Sequence, residues 1–228
     1  MILTNGTKLE EREDDYIGDN HLSISTETPM REDAFDLNDE EKINLIQEKF
    51  KDIMNILGLD LTDDSLKGTP NRVAKMFVKE IFSGLNPENK PSVRVFENKY
   101  GYNNILVEKN INLQSFCEHH FLPIIGKAHV GYIPNRKVVG LSKLNRVVDY
   151  FARRPQVQER LTNQIYEELK NTLHTDDVII VIDAKHLCVS SRGIQDISSS
   201  TQTIQFGGKF KDIQMRNEFF RLIELQKE

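Results

Sequence analysis

The stretch SKLNRVVDYFARRPQVQERLTNQIYEELKNTL at 142–173, followed by VIIVIDA at 178–184, decides the fold class. Helical periodicity runs over 142–153, breaks at Pro155 and resumes over 156–173. VIIVIDA is the continuous apolar run of a buried strand. Working outward, segments 92–97, 104–116 and 127–133 read as strands, and AHVGYIP alternates apolar and polar residues before stopping at Pro134. HLCVSS at 186–191 and TQTIQF at 201–206 read as further strands. A last amphipathic helix fits 212–226, with Phe219, Leu222 and Ile223 on its apolar side. The class is α+β, an antiparallel sheet faced by the paired helices.

Upstream, Asn38 and Glu41 have the spacing of a capping box. Ile43, Ile46, Phe50, Ile53 and Leu57 then recur at helical spacing, with Gly58 as C-cap. Thr69-Pro70 opens a second helix with Thr69 as N-cap, and Val73, Met76, Phe77 and Ile81 form its apolar face before Gly84 ends it. Arg72 and Lys75 share a side of that helix, which taken alone reads as a solvated basic face. Residues 1–36 hold ten acids and three bases in a polar sequence, which predicts a mobile acidic tail. The chain therefore divides into the tail at 1–36, a helical segment at 37–90 and the main domain at 91–228.

The 228-residue chain has a net charge of −5, against a general nucleic-acid binder. It has no apolar run of ~18 residues, against a membrane span. The opening MILTNGTKLEERE lacks the basic and apolar regions of a secretory signal. The expected setting is cytoplasmic, where the two cysteines are free, metal-bound or catalytic.

Cys117-Glu118-His119-His120 is the sharpest chemical feature. A cysteine and a histidine three apart can close on one zinc ion from a tight turn. The other cysteine lies in His186-Leu187-Cys188, where residues two apart on a strand share a face. Cys117, His120 and Cys188 then make a three-ligand site, the number that leaves a zinc ion open for chemistry and lowers the pKa of a bound water to about 7. The two cysteines could equally be buried small apolar residues, or one disulfide. His119 and His186 add two proton-transfer candidates. His129 reads as a packed or surface residue, His174 as a helix C-terminal residue, and His21 lies in the tail.

Two further groups of residues accompany this one. Gly140 precedes a helix opening at Ser142, with Lys143 and Arg146 on one face, a pattern suited to phosphate; Arg192 adds a cation four residues after Cys188. No P-loop sequence is present. Gln158 and Glu159 follow Pro155 at a helix start. A carboxylate there can take the paired N1–H and exocyclic amine of guanine, or simply stabilise the helix dipole.

CEHH, HVGYIP, GLSKLNR, RRPQVQERLT and HLCVSSRG, in this order, resemble the GTP cyclohydrolase I family, and TPNRVAKMFVKEIFSGL fits its helical N-terminal segment. The resemblance spans about residues 40–225, leaving the acidic tail outside. It implies the tunnelling fold: a four-stranded antiparallel sheet with two long helices per subunit, sheets closing into a barrel in a homodecamer, and active sites between subunits. It implies one Zn2+ per subunit on Cys117, His120 and Cys188, His119 and His186 as acid–base groups, and Ser142 assisting at the sugar. It further implies Lys143, Arg146 and Arg192 on the triphosphate, joined by Arg72 and Lys75 from a neighbouring subunit, with Gln158 and Glu159 reading guanine. The implied reaction converts GTP and water to 7,8-dihydroneopterin triphosphate and formate, which opens pterin biosynthesis. Two alternatives accompany it: a sister tunnelling-fold enzyme acting on another pterin or a deazapurine, and a non-catalytic zinc- and nucleotide-binding module.

Overall fold

In the computed structural model, residues 25–224 are described. Residues 1–24 of the tail expected at 1–36, His21 among them, and residues 225–226 of the helix expected at 212–226 lie outside them.

The sheet is built from β2 (Leu106–Cys117), β3 (Pro123–Tyr132), β6 (Val178–His186) and β7 (Thr201–Phe206), antiparallel in that order. A two-residue strand, β5 (Pro155–Gln156), adds in parallel outside the end of β2, pairing Cys117 with Gln156. Two helices, α3 (Leu141–Ala152) and α4 (Gln158–Leu173), cover one face. The periodicity explains why: α4 turns Leu161, Ile165, Leu169 and Leu173 inward at four-residue intervals. With Leu144, Val147 and Val148 of α3 they meet Ile111, Leu113, Val130, Ile180 and Ile182 in one continuous core. Fully burying side chains of this size contributes about 1.5–3 kcal/mol each. These elements have the expected α+β architecture, with two long helices on one side of four antiparallel strands.

Strand alternation sends Asn112, Gln114, Lys127 and Lys185 to the opposite face, where they are exposed. One end of that face is sealed by Phe210 and by α6 (Ile213–Glu224), whose Phe219 joins Ile105, Ile133, Ile179 and Val181 in a second core. Gly131 makes the close approach possible, since a Cβ there would lie 2.6 Å from the Phe219 ring. Two short strands, β1 (Val95–Glu97) and β4 (Lys137–Val139), pair separately.

The N-terminal helices follow their signals. Helix α1 (Asp39–Ile56) has the full capping box: Asn38 Oδ1 accepts from the Glu40 and Glu41 amides, and Glu41 Oε2 accepts from the Asn38 amide at 2.8 Å. Helix α2 (Thr69–Met76) starts one residue earlier than expected. Its cap is Gly68, because the Gly68 carbonyl already accepts the first intrahelical bond, from the Arg72 amide. Beyond Met76 it continues through a π turn at Phe77–Ile81 and a 3-10 turn at Ser83–Leu85. There Gly84 docks on the end of α3: its amide donates to Arg153 O at 2.9 Å, and a Cβ would stand 2.1 Å from Tyr150 O.

Residues 25–36, counted with the acidic leader in the sequence, lie against the body. Arg160 Nε donates to Ser25 O at 2.7 Å, and Gln164 Nε2 donates to Glu27 Oε2 at 3.0 Å. A buried guanidinium and a buried amide need acceptors, and the leader backbone supplies one.

Candidate metal centre and substrate site

β2 ends at Cys117, and the chain returns into β3 through a turn closed on that residue. The Cys117 amide donates to Leu122 O at 2.8 Å, and its carbonyl accepts from the Phe121 amide at 2.9 Å. Phe121 takes a left-handed φ of 53°, a conformation costing a bulky residue about 1–3 kcal/mol. The Phe82 and Phe77 rings hold it, at centroid distances of 5.0 and 6.4 Å. The turn thereby presents Cys117 and His120 beside Cys188 from across β3, and the ligand atoms of the three lie within 4.8 Å of one another.

The expected strand at 186–191 is corrected here. β6 stops at His186, opposite Ile124, and Leu187–Ser190 winds into a helical turn, α5. Pairing with β7 ends at Ala184, so no partner strand supports an extended chain further on. His186 and Cys188 consequently do not share a strand face. Cys188 reaches the cluster from α5, while His186 is held under α4.

The donor set fits a metal such as zinc: two thiols, an imidazole and no disulfide. Burial pushes the Cys188 thiol up, Cys117 beside it pushes it further, and Arg192 partly opposes the rise. Two thiols packed this closely resist ionising together, and a bound cation reverses that preference. Arg192 Nη1 lies 2.5 Å from His120 Nε2. Guanidinium only donates, so Nε2 is the acceptor in this contact.

His119 lies at the rim with its side chain 41% exposed. Its Nδ1 is 3.7 Å from Cys117 Sγ, and its Nε2 is 3.9 Å from Glu118 Oε1. His186 Nε2 lies 2.8 Å from Gln158 Oε1. The Gln158 amide nitrogen donates to Ile182 O, Thr201 O and Thr203 Oγ1. Its oxygen therefore faces His186, whose Nε2 is the donor and whose Nδ1 is left to accept. Burial holds the His186 pKa below its ordinary value, and the charge of Glu159 works against this.

Gln158, expected to read guanine, is buried, and its amide is hydrogen-bonded inside the protein, to His186 on one side and to β6 and β7 on the other. Glu159, the next residue around the first turn of α4, is exposed and close enough to act on His186. Sequence reasoning missed Arg160, which is buried and ion-paired with Glu118 at 2.5 Å. Its signal was a cation one residue before Leu161, on the inner side of α4.

The basic residues are not all brought to this cluster. Ser142, Lys143 and Arg146 sit on the first turns of α3, whose Asn145 donates to Glu108 Oε1 at 3.0 Å. Glu108 is nine residues up β2 from Cys117, roughly 30 Å at the strand rise. Ser142, Lys143 and Arg146 thus lie toward the opposite end of the sheet from Cys117, whereas Arg192 touches the cluster at His120. Arg72 and Lys75 are exposed, and Arg72 Nη2 donates to Ser65 O and Thr69 Oγ1 of its own segment. His129 is half-buried in β3, and His174 is the left-handed C-cap of α4.

The family model described as GTP cyclohydrolase I matches residues 46–224. A protein of Flavobacterium johnsoniae named GTP cyclohydrolase 1 is 63% identical over 211 residues, covering 92% of this chain and 95% of its own length. Proteins of the same name from Citrobacter koseri and Yersinia enterocolitica are each 50% identical, the first over 86% of this chain and 89% of its own length, the second over 89% and 91%. Among solved structures, archaeosine synthase QueF-Like in its apo form aligns with a TM-score of 0.39 at 17% identity, over 46% of this chain and 94% of that one.

Proposed function

The chain belongs to the GTP cyclohydrolase I family, and from that premise we propose that it is a zinc-dependent enzyme converting GTP and water to 7,8-dihydroneopterin triphosphate and formate. The observation that carries this reading is the convergence of Cys117, His120 and Cys188 within 4.8 Å beside His119 and His186. Similarity to relatives named for GTP cyclohydrolysis over nearly their whole length supports the same activity. Cys117, His120 and Cys188 would hold the metal, one ion per chain, and a metal there would supply the Lewis acidity that activates water at neutral pH.

The chain's own residues supply recognition and proton handling. Glu159, exposed on the first turn of α4, accepts the N1–H and exocyclic amine of guanine and orients C8 toward the cluster. His186, fixed by Gln158 with Nδ1 as acceptor, takes a proton from the attacking water. His119 delivers a proton to the leaving ring nitrogen as the imidazole ring opens to a formamide. A second hydration at the same carbon releases formate. The ribose then undergoes an Amadori rearrangement, assisted by Ser142, and the freed amine closes on the ketone with loss of one water, so one water is consumed overall.

Lys143, Arg146 and Arg192, with Arg72 and Lys75, take the triphosphate, and remote binding of this kind is converted into orientation of the base. The separation of Cys117 from the start of α3, which lies beside Glu108 at the other end of β2, supports sites assembled between copies, in a homo-oligomer for which the family expectation is a decamer. A cytoplasmic setting fits two free thiols. Incubating the purified protein with GTP, while measuring formate and the fluorescent oxidised pterin, tests the reading; GTP binding without formate release would leave the non-catalytic module instead.

A further inference from the structure

We propose that the buried Glu118–Arg160 ion pair is a positioning device that fixes the metal-ligand turn against the first turn of α4, and so sets the placement of Glu159 relative to the metal. This rests on the assignment of Cys117, His120 and Cys188 as ligands and of Glu159 as the base-reading carboxylate. Glu118 lies inside the ligand turn, directly after Cys117. Arg160 directly follows Glu159 on α4. The two elements also meet at the short β5, where Cys117 pairs with Gln156 and the Glu118 amide donates to Gln156 O at 3.0 Å.

The pair has the geometry of a direction-setting contact. Arg160 Nη1 donates to Glu118 Oε2 at 2.5 Å, and Nη2 faces Oε1 at 3.4 Å. Its Nε donates to Ser25 O at 2.7 Å. A fork held on a carboxylate at one end and a carbonyl at the other has a fixed plane, which a lysine or an apolar side chain would not have. The Arg160 side chain is 2% exposed, so the charge has been taken out of water at a cost that an apolar pair would not incur. What the ions add is orientation. Glu118 Oε1 is also 3.9 Å from His119 Nε2, so the same carboxylate borders the imidazole that handles the leaving nitrogen. Glu159 and Arg160 diverge from one turn, the first exposed and the second buried, so rotation of the buried one carries the exposed one with it.

The test compares wild type with Arg160→Lys, which keeps the charge without the fork. It adds the neutral double variant Glu118→Gln with Arg160→Gln, which leaves no unpaired buried charge and so protects folding. Metal content, the visible absorption of the cobalt(II)-substituted protein, and kcat and KM for GTP are measured on each. The expected result for the double variant is one metal per chain, displaced cobalt bands, kcat down by ~10²-fold and KM little changed. Arg160→Lys is expected to lie between the two. Wild-type cobalt bands with a near wild-type kcat would overturn the proposal, as would a loss of rate that only follows loss of metal or of folded protein. Should wild type bind metal but release no formate, the cyclohydrolase reading fails by itself, and the cobalt bands of the variants alone decide whether the pair positions the turn.

Discussion

His119 and His186, the two proposed acid–base groups, are held in different ways. His186 is fixed by an amide whose own donors are all used, so its proton is on Nε2 and its lone pair on Nδ1. His119 stands at the rim, against Cys117 on one side and Glu118 on the other. Neither arrangement requires His119 to complete the three ligands. His119→Ala is therefore expected to keep its metal and bind GTP, yet to lose turnover by ~10²–10⁴-fold; single-turnover formate release on protein of verified metal content measures this. Glu159→Ala removes the acceptor proposed for two guanine donors. It should cost about 1–3 kcal/mol of guanine preference, read as the ratio of GTP to ATP binding, and an unchanged ratio would remove Glu159 from recognition. The grouping of Cys117, His120 and Cys188 was legible from residue type and spacing. The burial of Gln158 was not, because neighbours on a helix point about 100° apart and only the packed sheet shows which of two polar neighbours faces inward.

Elements with a strong period or a cap were legible: α1 from its capping box, α3 and α4 from their inward apolar positions, β6 from its apolar run. The misread segment, 187–190, is short, and a run such as HLCVSS satisfies either period. What ends β6 is the loss of partner strands at Ala184 and His186, a tertiary fact. Gly84 is where the N-terminal helices meet α3. Gly84→Ala should push the Tyr150 carbonyl away and destabilise the fold by about 1–3 kcal/mol, the usual cost of overpacking, seen as a lower midpoint in urea. His129 on β3 gives a pH dependence. Burial holds its pKa below the ordinary 6.5, Asp183 opposes, and Lys109 and Lys127 assist. The unfolded chain then takes up the proton before the folded one, so stability falls as pH drops through 6.5 and stops falling below the folded pKa. His129→Gln is expected to flatten this part of the Tm–pH curve.

At the scale of the molecule, the sequence puts Ser142, Lys143 and Arg146 on one helix start but does not show that they lie toward the other end of the sheet from Cys117. Distance across a sheet depends on strand registers that no motif spells out. If sites assemble between copies, a Cys188→Ala chain and a chain carrying Lys143→Ala and Arg146→Ala are each inactive, and co-assembly restores on the order of a quarter of the sites for random mixing. Zero recovery in mixed oligomers of verified composition would place the whole site on one chain. The leader should divide in the same experiments: removing 1–24 leaves thermal stability near wild type, whereas removing 1–36 strips Ser25 from Arg160 and Glu27 from Gln164 and lowers it. The ligand turn carries one more consequence. Its shape comes from hydrogen bonds between Cys117, Phe121 and Leu122 and from the Glu118 contacts, all made by protein groups. If Cys117, His120 and Cys188 hold zinc as proposed, the ion would join a turn that protein contacts already shape, and chains made without zinc would gain activity on its resupply without new synthesis.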